Sequence, residues 1–268
     1  MLRPDGSANP PSRPSRRRRG PVPVALAAVS ALAAFLLIEP ASAAPDGGTE
    51  PLTIAIDVGH SQARAGATSA RGRPEFEFNR DLALVVDREL RRQGFHTRLI
   101  GADGRMDRLT DRTAQASAAG ADFFLSLHHD SVQPQYLETW QTGGREQRYS
   151  DRFSGYSLFV SRKNPAPQQS EACAAAIGRQ LRQRGFTPSY HHAEPIAGEN
   201  RPLADAPNGV YYFDDLVVLK TAPVPAVLVE AGIILNRDDE LALSQPSTRE
   251  RLAGAIGEGL LACLARHR

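Results

Sequence analysis

Three apolar runs end in residues able to handle a metal ion or a proton. Leu52-Thr-Ile-Ala-Ile56 leads into Asp57-Val58-Gly59-His60, and Asp122-Phe-Phe-Leu-Ser-Leu127 leads into His128-His129-Asp130. Ala226-Val-Leu-Val229 ends at Glu230-Ala231-Gly232. Two further carboxylates, Glu75 and Glu77, stand just before a helical pattern. Two histidines and one carboxylate leave the fourth position of a zinc ion open to water, and another carboxylate nearby can act as general base. Each residue also has a plainer role. A histidine at a strand end is commonly a hydrogen-bonded structural group, and a glutamate before a helix complements the helix dipole. Spacing alone leaves both readings open.

For these residues to meet, the elements must carry them to one edge. The β-branched run 52–56, Phe95–Ile100, Asp122–Leu127, Ser157–Ser161, Leu216–Leu219 and Ala226–Glu230 read as strands. Leu82, Ala83, Val86 and Leu90 fall at helical spacing, and Gly94 sits where a C-cap belongs. Arg112–Ala119, Ser170–Arg184 and Thr248–Ala265 read as further helices. Strands alternating with helices predict an α/β fold: a mainly parallel, mixed central sheet flanked by helices, in a single domain. Ligand sites in such sheets lie beyond the carboxyl ends of the strands, so His60, His128 and Glu230 are expected to converge.

Two stretches, about 130–156 and 186–213, lack periodicity and read as lids or binding loops. The second holds His191-His192 with Glu194 nearby. That pair reads as part of a solvated loop, the alternative being a substrate contact or a group supporting the site. Trp140, Tyr211 and Tyr212 suit either stacking on sugar or peptide, or core packing. Cys173 and Cys263 are the only cysteines. They suit a disulfide or two buried thiols, and are too few for a cysteine-based zinc site.

The 268 residues are 41% hydrophobic and 23% charged, with 32 basic and 30 acidic groups. This is ordinary globular composition and excludes disordered, collagen-like or coiled-coil chains. Six arginines but only two acids fall within residues 1–43, so the remainder is slightly acidic. A nucleic-acid binder needs a basic surface, and no nucleic-acid partner is expected. The basic run Arg16–Arg19, the apolar stretch Pro21–Ile38 and Ala41-Ser42-Ala43 have the pattern of a secretory signal. The expected organisation is a signal peptide at 1–43, a linker at 44–51 and a catalytic domain at 52–268. No stable membrane span is expected after cleavage, and the expected location is the periplasm. The alternative is an uncleaved anchor.

Four segments, in order, resemble the zinc-dependent N-acetylmuramoyl-L-alanine amidases of the amidase 3 type. They are Ile54-Ala-Ile-Asp-Val-Gly-His60; Gly66-Ala67 to Gly72 with Glu75 and Asn79; Ala121-Asp-Phe-Phe-Leu-Ser-Leu-His128; and Pro225-Ala-Val-Leu-Val-Glu-Ala-Gly232 with Asn236. The resemblance implies His60, Glu75 and His128 as ligands of a Zn2+ ion, and Glu230 as the catalytic base. The family has a Gly three residues before its ligand glutamate and an Asn four after it; Gly72 and Asn79 stand at those distances from Glu75, not Glu77. The implied substrate is peptidoglycan or muropeptides, cut between N-acetylmuramic acid and L-alanine. The chain departs from the family pattern at Ser61-Gln62-Ala63-Arg64, Ala114–Ser117, Ile233 and His129-Asp130; none of these removes an implied ligand, and they bear on substrate-side details. A zinc peptidase on another wall amide, a catalytically silent peptidoglycan-binding regulator and a lectin are competing readings. Retention of both histidines and both acids argues against the last two. No wall-binding repeat is visible, so targeting falls to the long loops or to a partner protein, such as an activator.

Overall fold

The computed structural model describes residues 50–265 and the isolated Gly20. The expected signal segment, its expected cleavage site and most of the expected linker lie outside the described residues. Two compact units divide the chain at Gly48–Thr49; the fold below is that of the second.

Seven strands form one mixed sheet in the order β2-β1-β3-β9-β6-β8-β7. β1 (Thr53–Val58), β2 (His96–Ile100), β3 (Phe123–Asp130) and β9 (Ala226–Ile233) are mutually parallel. β6 (Ser157–Val160) runs antiparallel to β9, and β8 (Val210–Tyr212) and β7 (Leu203–Asp205) complete that edge. The two long aperiodic stretches contain short strands of their own. β4 (Glu138–Thr142) and β5 (Arg145–Tyr149) form a separate hairpin in the first, and β7 and β8 lie in the second.

Helices cover both faces, as buried parallel strands require. α1 (Glu75–Arg92), α3 (Pro167–Gln183) and α6 (Pro246–Leu264) pack on one face against Ile54, Ile56, Leu125, Val227 and Val229. α2 (Leu109–Ala118) and α4 (Val217–Thr221) cover the other, where Ala55, Phe124 and Leu228 point. The seven-residue α5 (Arg237–Leu243) follows β9. The Leu216–Leu219 run, expected as a strand, is helical. A four-residue apolar run has no period of its own, and packing on α2, with Thr113 Oγ1 3.1 Å from Thr221 Oγ1, decides its form.

Side chains alternate across a strand, and this sorts the chemistry. On the α2/α4 face the apolar Ala55, Phe124 and Leu228 give way, toward the strands' carboxyl ends, to Asp57, Ser126, His128 and Glu230. A disulfide joins Cys173 on α3 to Cys263 on α6, with Cα atoms 5.1 Å apart. It ties together two of the three helices of the opposite face.

Candidate active site

His128 and Glu230 are register partners on the adjacent parallel strands β3 and β9, so both side chains rise on the same face at the same level. His60 arrives differently. The chain leaves β1 through Gly59, and His60 takes a left-handed backbone with φ 66°, a region that non-glycine residues enter at a cost. The guanidinium of Arg112, on α2, holds that turn. It donates to the carbonyls of Val58, His60 and Met106, and pairs with Asp57 at 2.6 Å. Asp57 also accepts from Ser126 Oγ at 2.7 Å. Arg112 is only 2% exposed, so its charge is compensated almost wholly by these partners.

Glu75 opens α1, where its carboxylate complements the helix dipole. Its Oε2 stands 3.0 Å from His60 Nε2 and its Oε1 3.0 Å from His128 Nδ1. The two imidazoles meet edge-on with centroids 4.9 Å apart. Ala67 N donates to Oε2 at 3.0 Å, and Asn79 Nδ2, one turn along α1, donates to Oε1 at 3.1 Å and to the Gly59 carbonyl at 3.2 Å. Asn79 Oδ1 lies 2.8 Å from His129 Nδ1. Burial pushes His129 down to about 3, so it is neutral and donates to Asn79. Despite the burial that opposes ionisation, Glu75 is held well below the usual carboxylate range by its hydrogen bonds to His128 and His60. Two glycines leave the necessary room. A Cβ on Gly59 would lie 2.3 Å from the His128 ring, and one on Gly66 would lie 2.3 Å from Glu75 Oε2.

Glu230 shares with Glu75 a burial that opposes ionisation but differs in its partners and in the direction of its pKa shift. Its Oε2 is buried and has no hydrogen-bond partner among the described residues. Burial, then the negative charges of Asp130 and Glu75, raises its pKa well above the ordinary carboxylate value. It borders a cavity of about 340 Å3 that also reaches His60, His128, Arg112 and His192. Phe159, Phe213, Leu216, Val218 and Leu228 form the apolar side of that cavity. Two imidazole nitrogens and one carboxylate, close enough to share an ion, stand beside an unpaired acid in a cleft. That donor set fits a zinc ion with one position left open.

The sequence pattern of the Amidase 3 family, described as N-acetylmuramoyl-L-alanine amidase, matches residues 54–262. The chain belongs to this family. It is a hydrolase of peptidoglycan, cleaving the amide between N-acetylmuramic acid and L-alanine. Relatives of this amidase family include AmiA of Escherichia coli, 27% identical over 219 residues that cover 78% of this chain and 74% of AmiA. LytC of Bacillus subtilis is 29% identical over 210 residues, covering 77% of this chain and 34% of LytC. Among solved structures, Ami1 of Mycobacterium smegmatis superposes with a TM-score of 0.64 at 22% identity, covering 80% of this chain and 97% of Ami1. That likeness shows the shared amidase fold.

Other residues singled out in the sequence fall elsewhere. Glu77 faces outward and pairs with Arg73 at 3.0 Å, away from the amidase cleft. His191 and His192 are buried rather than solvated. They sit in a short 3-10 turn against Asp130, since the loop folds back over the end of β3. Tyr211 is a core residue, its hydroxyl donating to the Ser189 carbonyl at 2.8 Å. Trp140 anchors the β4–β5 hairpin through an Nε1 bond of 2.8 Å to the Ala70 carbonyl. Sequence reasoning missed Arg112, whose place on an amphipathic alanine-rich helix gives no local signal. It also missed the Asp130–His192–Glu199 chain, whose members come from separate segments.

Proposed function

We propose that His60, Glu75 and His128 hold one zinc ion and that Glu230 is the general base for hydrolysis of the N-acetylmuramoyl–L-alanine amide. The observation that carries this reading is the contrast between the two acids. Glu75 is bonded to both histidines and held ionised. Glu230, in register with His128, has a buried oxygen without a partner and a raised pKa.

When bound, zinc would supply Lewis acidity that polarises the scissile carbonyl and makes water a better nucleophile at neutral pH. Asn79 and the Ala67 amide hold Glu75 so that both its oxygens face the histidines. Arg112 fixes the His60 turn. Glu230 takes a proton from the attacking water and passes it to the departing L-alanine amine, and its raised pKa suits both transfers. The apolar cavity wall beside Glu230 contributes to the burial that keeps its pKa raised.

The reading includes export. Residues 1–43 serve as a signal segment, 44–51 as a linker and 52–268 as the catalytic domain. The N-terminal basic-apolar-small pattern supports this. So does the Cys173–Cys263 disulfide, since such bonds persist in oxidising compartments such as the periplasm. No described helix is long and apolar enough to cross a membrane. A protein activator is a further proposed partner: the CwlD amidase of Clostridioides difficile, with a TM-score of 0.61 to this chain, was solved in complex with the GerS lipoprotein.

The test is mass spectrometry of purified muropeptides incubated with the enzyme, with and without chelator. Free stem peptide and intact muramyl saccharide, lost on chelation and restored by zinc, are the expected result. Cleavage at a bond within the stem peptide, or cleavage insensitive to chelator, overturns the reading.

A further inference from the structure

Beyond the amidase centre, the loop between α3 and β7 brings a second set of ligand-type side chains together. His191 and His192 stack with ring centroids 3.8 Å apart. Their Nδ1 atoms are both taken: His191 by Ser189 Oγ at 2.9 Å, His192 by Glu199 Oε2 at 2.8 Å. Their Nε2 atoms both turn toward a single oxygen, Asp130 Oδ2, at 3.3 and 2.7 Å. The other Asp130 oxygen accepts from Ser131 N at 2.7 Å.

This is the arrangement of metal-binding histidines, in which the remote nitrogen is anchored by an oxygen group and the near nitrogen converges on the ion. Hydrogen bonding alone satisfies the cluster poorly. His191 is 2% exposed, and its Nε2 lies off the line of a hydrogen bond to Asp130 and has no partner among the described residues. The buried Asp130 carboxylate faces only the two imidazoles and the Ser131 amide, so its charge is balanced either by a proton on His192 or by a bound cation. A divalent cation at the common focus balances Asp130 and also gives His191 Nε2 a partner. Zinc bonds of 2.0–2.2 Å place ligand atoms about 3.3 Å apart in a tetrahedron. The His191–Asp130 separation already has that value, the His192–Asp130 separation of 2.7 Å has to widen toward it on binding, and the three ligand atoms all lie within 4.8 Å of one another. His192 borders the amidase cavity, which gives an ion a way in.

We propose that Asp130, His191 and His192 form a second metal site, for a zinc-type divalent ion held through Asp130 Oδ2 and the two Nε2 atoms. A nitrogen-and-carboxylate set of this kind suits zinc. The ion would pin the loop around residues 189–201 to the end of β3 and so hold the cavity wall formed by His192 and Arg201. The proposal does not depend on the amidase reading, because its ligands are different residues.

The experiment is metal counting on the full, tag-free chain, stripped with chelator, reloaded with zinc and dialysed. Elemental analysis should find two zinc ions per wild-type chain, one in His191→Ala, one in His60→Ala and none in the double variant. Cobalt loaded into His60→Ala should show the visible absorption of a tetrahedral nitrogen-and-oxygen site, which keeps the test decisive if His191→Ala fails to fold. One zinc in the wild type that disappears in His60→Ala overturns the second site and leaves the amidase centre standing. The cluster is then held by a proton on His192 shared with Asp130 and Glu199. Two zinc ions in the wild type, both kept in His60→Ala, overturn the amidase-centre assignment instead.

Discussion

Arg112 donates a hydrogen bond to the backbone carbonyl of His60, the proposed zinc ligand whose φ of 66° lies in the left-handed region. The strained turn and the buried ion pair are therefore one structure: Asp57 orients the guanidinium, and the guanidinium holds the ligand's backbone. Arg112→Met leaves Asp57 buried without its counter-charge. Breaking such a pair is expected to cost about 3–5 kcal/mol. Arg112→Lys retains the charge but not the fork that reaches several carbonyls at once. It should fold, and lose zinc faster to a competing chelator. Urea melts with chelator competition measure both effects, and wild-type behaviour in both variants removes Arg112 from the site.

The ligand assignment separates Glu75 from Glu77. His128→Ala and Glu75→Gln should each lose the amidase-centre zinc, because two remaining ligands hold the ion poorly. Glu77→Gln removes only a surface pair with Arg73 and should keep it. Zinc content decides. Loss of zinc in Glu77→Gln with retention in Glu75→Gln would shift the assignment by two residues.

Glu230→Gln keeps the shape and most of the hydrogen-bonding capacity but removes the base. General-base loss costs on the order of 10²–10⁴ in rate, so peptide release should slow by at least about a hundredfold with zinc retained. In the wild type, kcat/KM should fall as pH drops through the raised Glu230 value, where the base becomes protonated. A folded, zinc-loaded variant with near wild-type turnover would move the base elsewhere.

The same raised pKa has a consequence for stability. In the metal-free protein the folded state binds the Glu230 proton more tightly than the unfolded state does. Stability therefore declines as pH rises from the ordinary carboxylate value, about 4.3, through the raised folded value. The charged form is a net cost at neutral pH, and Glu230→Gln removes it. The variant should melt at a higher temperature than wild type at pH 7, and near the wild-type temperature below about pH 4. Calorimetry of the chelated proteins gives the sign, and a lower melting temperature at pH 7 contradicts it.

The Cys173–Cys263 bond closes a loop spanning 90 residues of sequence between α3 and α6. Reduction, or a Cys173→Ala/Cys263→Ala double variant, should lower stability by about 2–5 kcal/mol. The bond sits on the sheet face opposite the cleft, so zinc content should be unchanged. Denaturant titration with and without reductant is the measurement.

The local elements were legible wherever a period was long enough. Leu82, Ala83, Val86 and Leu90 mark α1, and the apolar runs Leu52–Ile56, Asp122–Leu127 and Ala226–Val229 mark β1, β3 and β9. Those strands carry polar residues at their carboxyl ends, so the sequence also indicated that His60, His128 and Glu230 share an edge. Glu75 was legible only through the family resemblance, whose pattern of a Gly three residues before and an Asn four residues after is met by Gly72 and Asn79, because a first-turn glutamate has a sufficient local reason to exist. What tertiary structure decided is of another kind. Leu216–Leu219 became a helix because α2 offers it a surface, which no four-residue run encodes. His191 and His192 passed from an expected solvated loop to a buried cluster because the chain folds back on Asp130, some sixty residues away in sequence. Arg112 gained its role only when α2 crossed the end of β1. Periodicity records which face of an element is apolar. It carries no information about which distant polar groups must neutralise one another once water has been removed from between them.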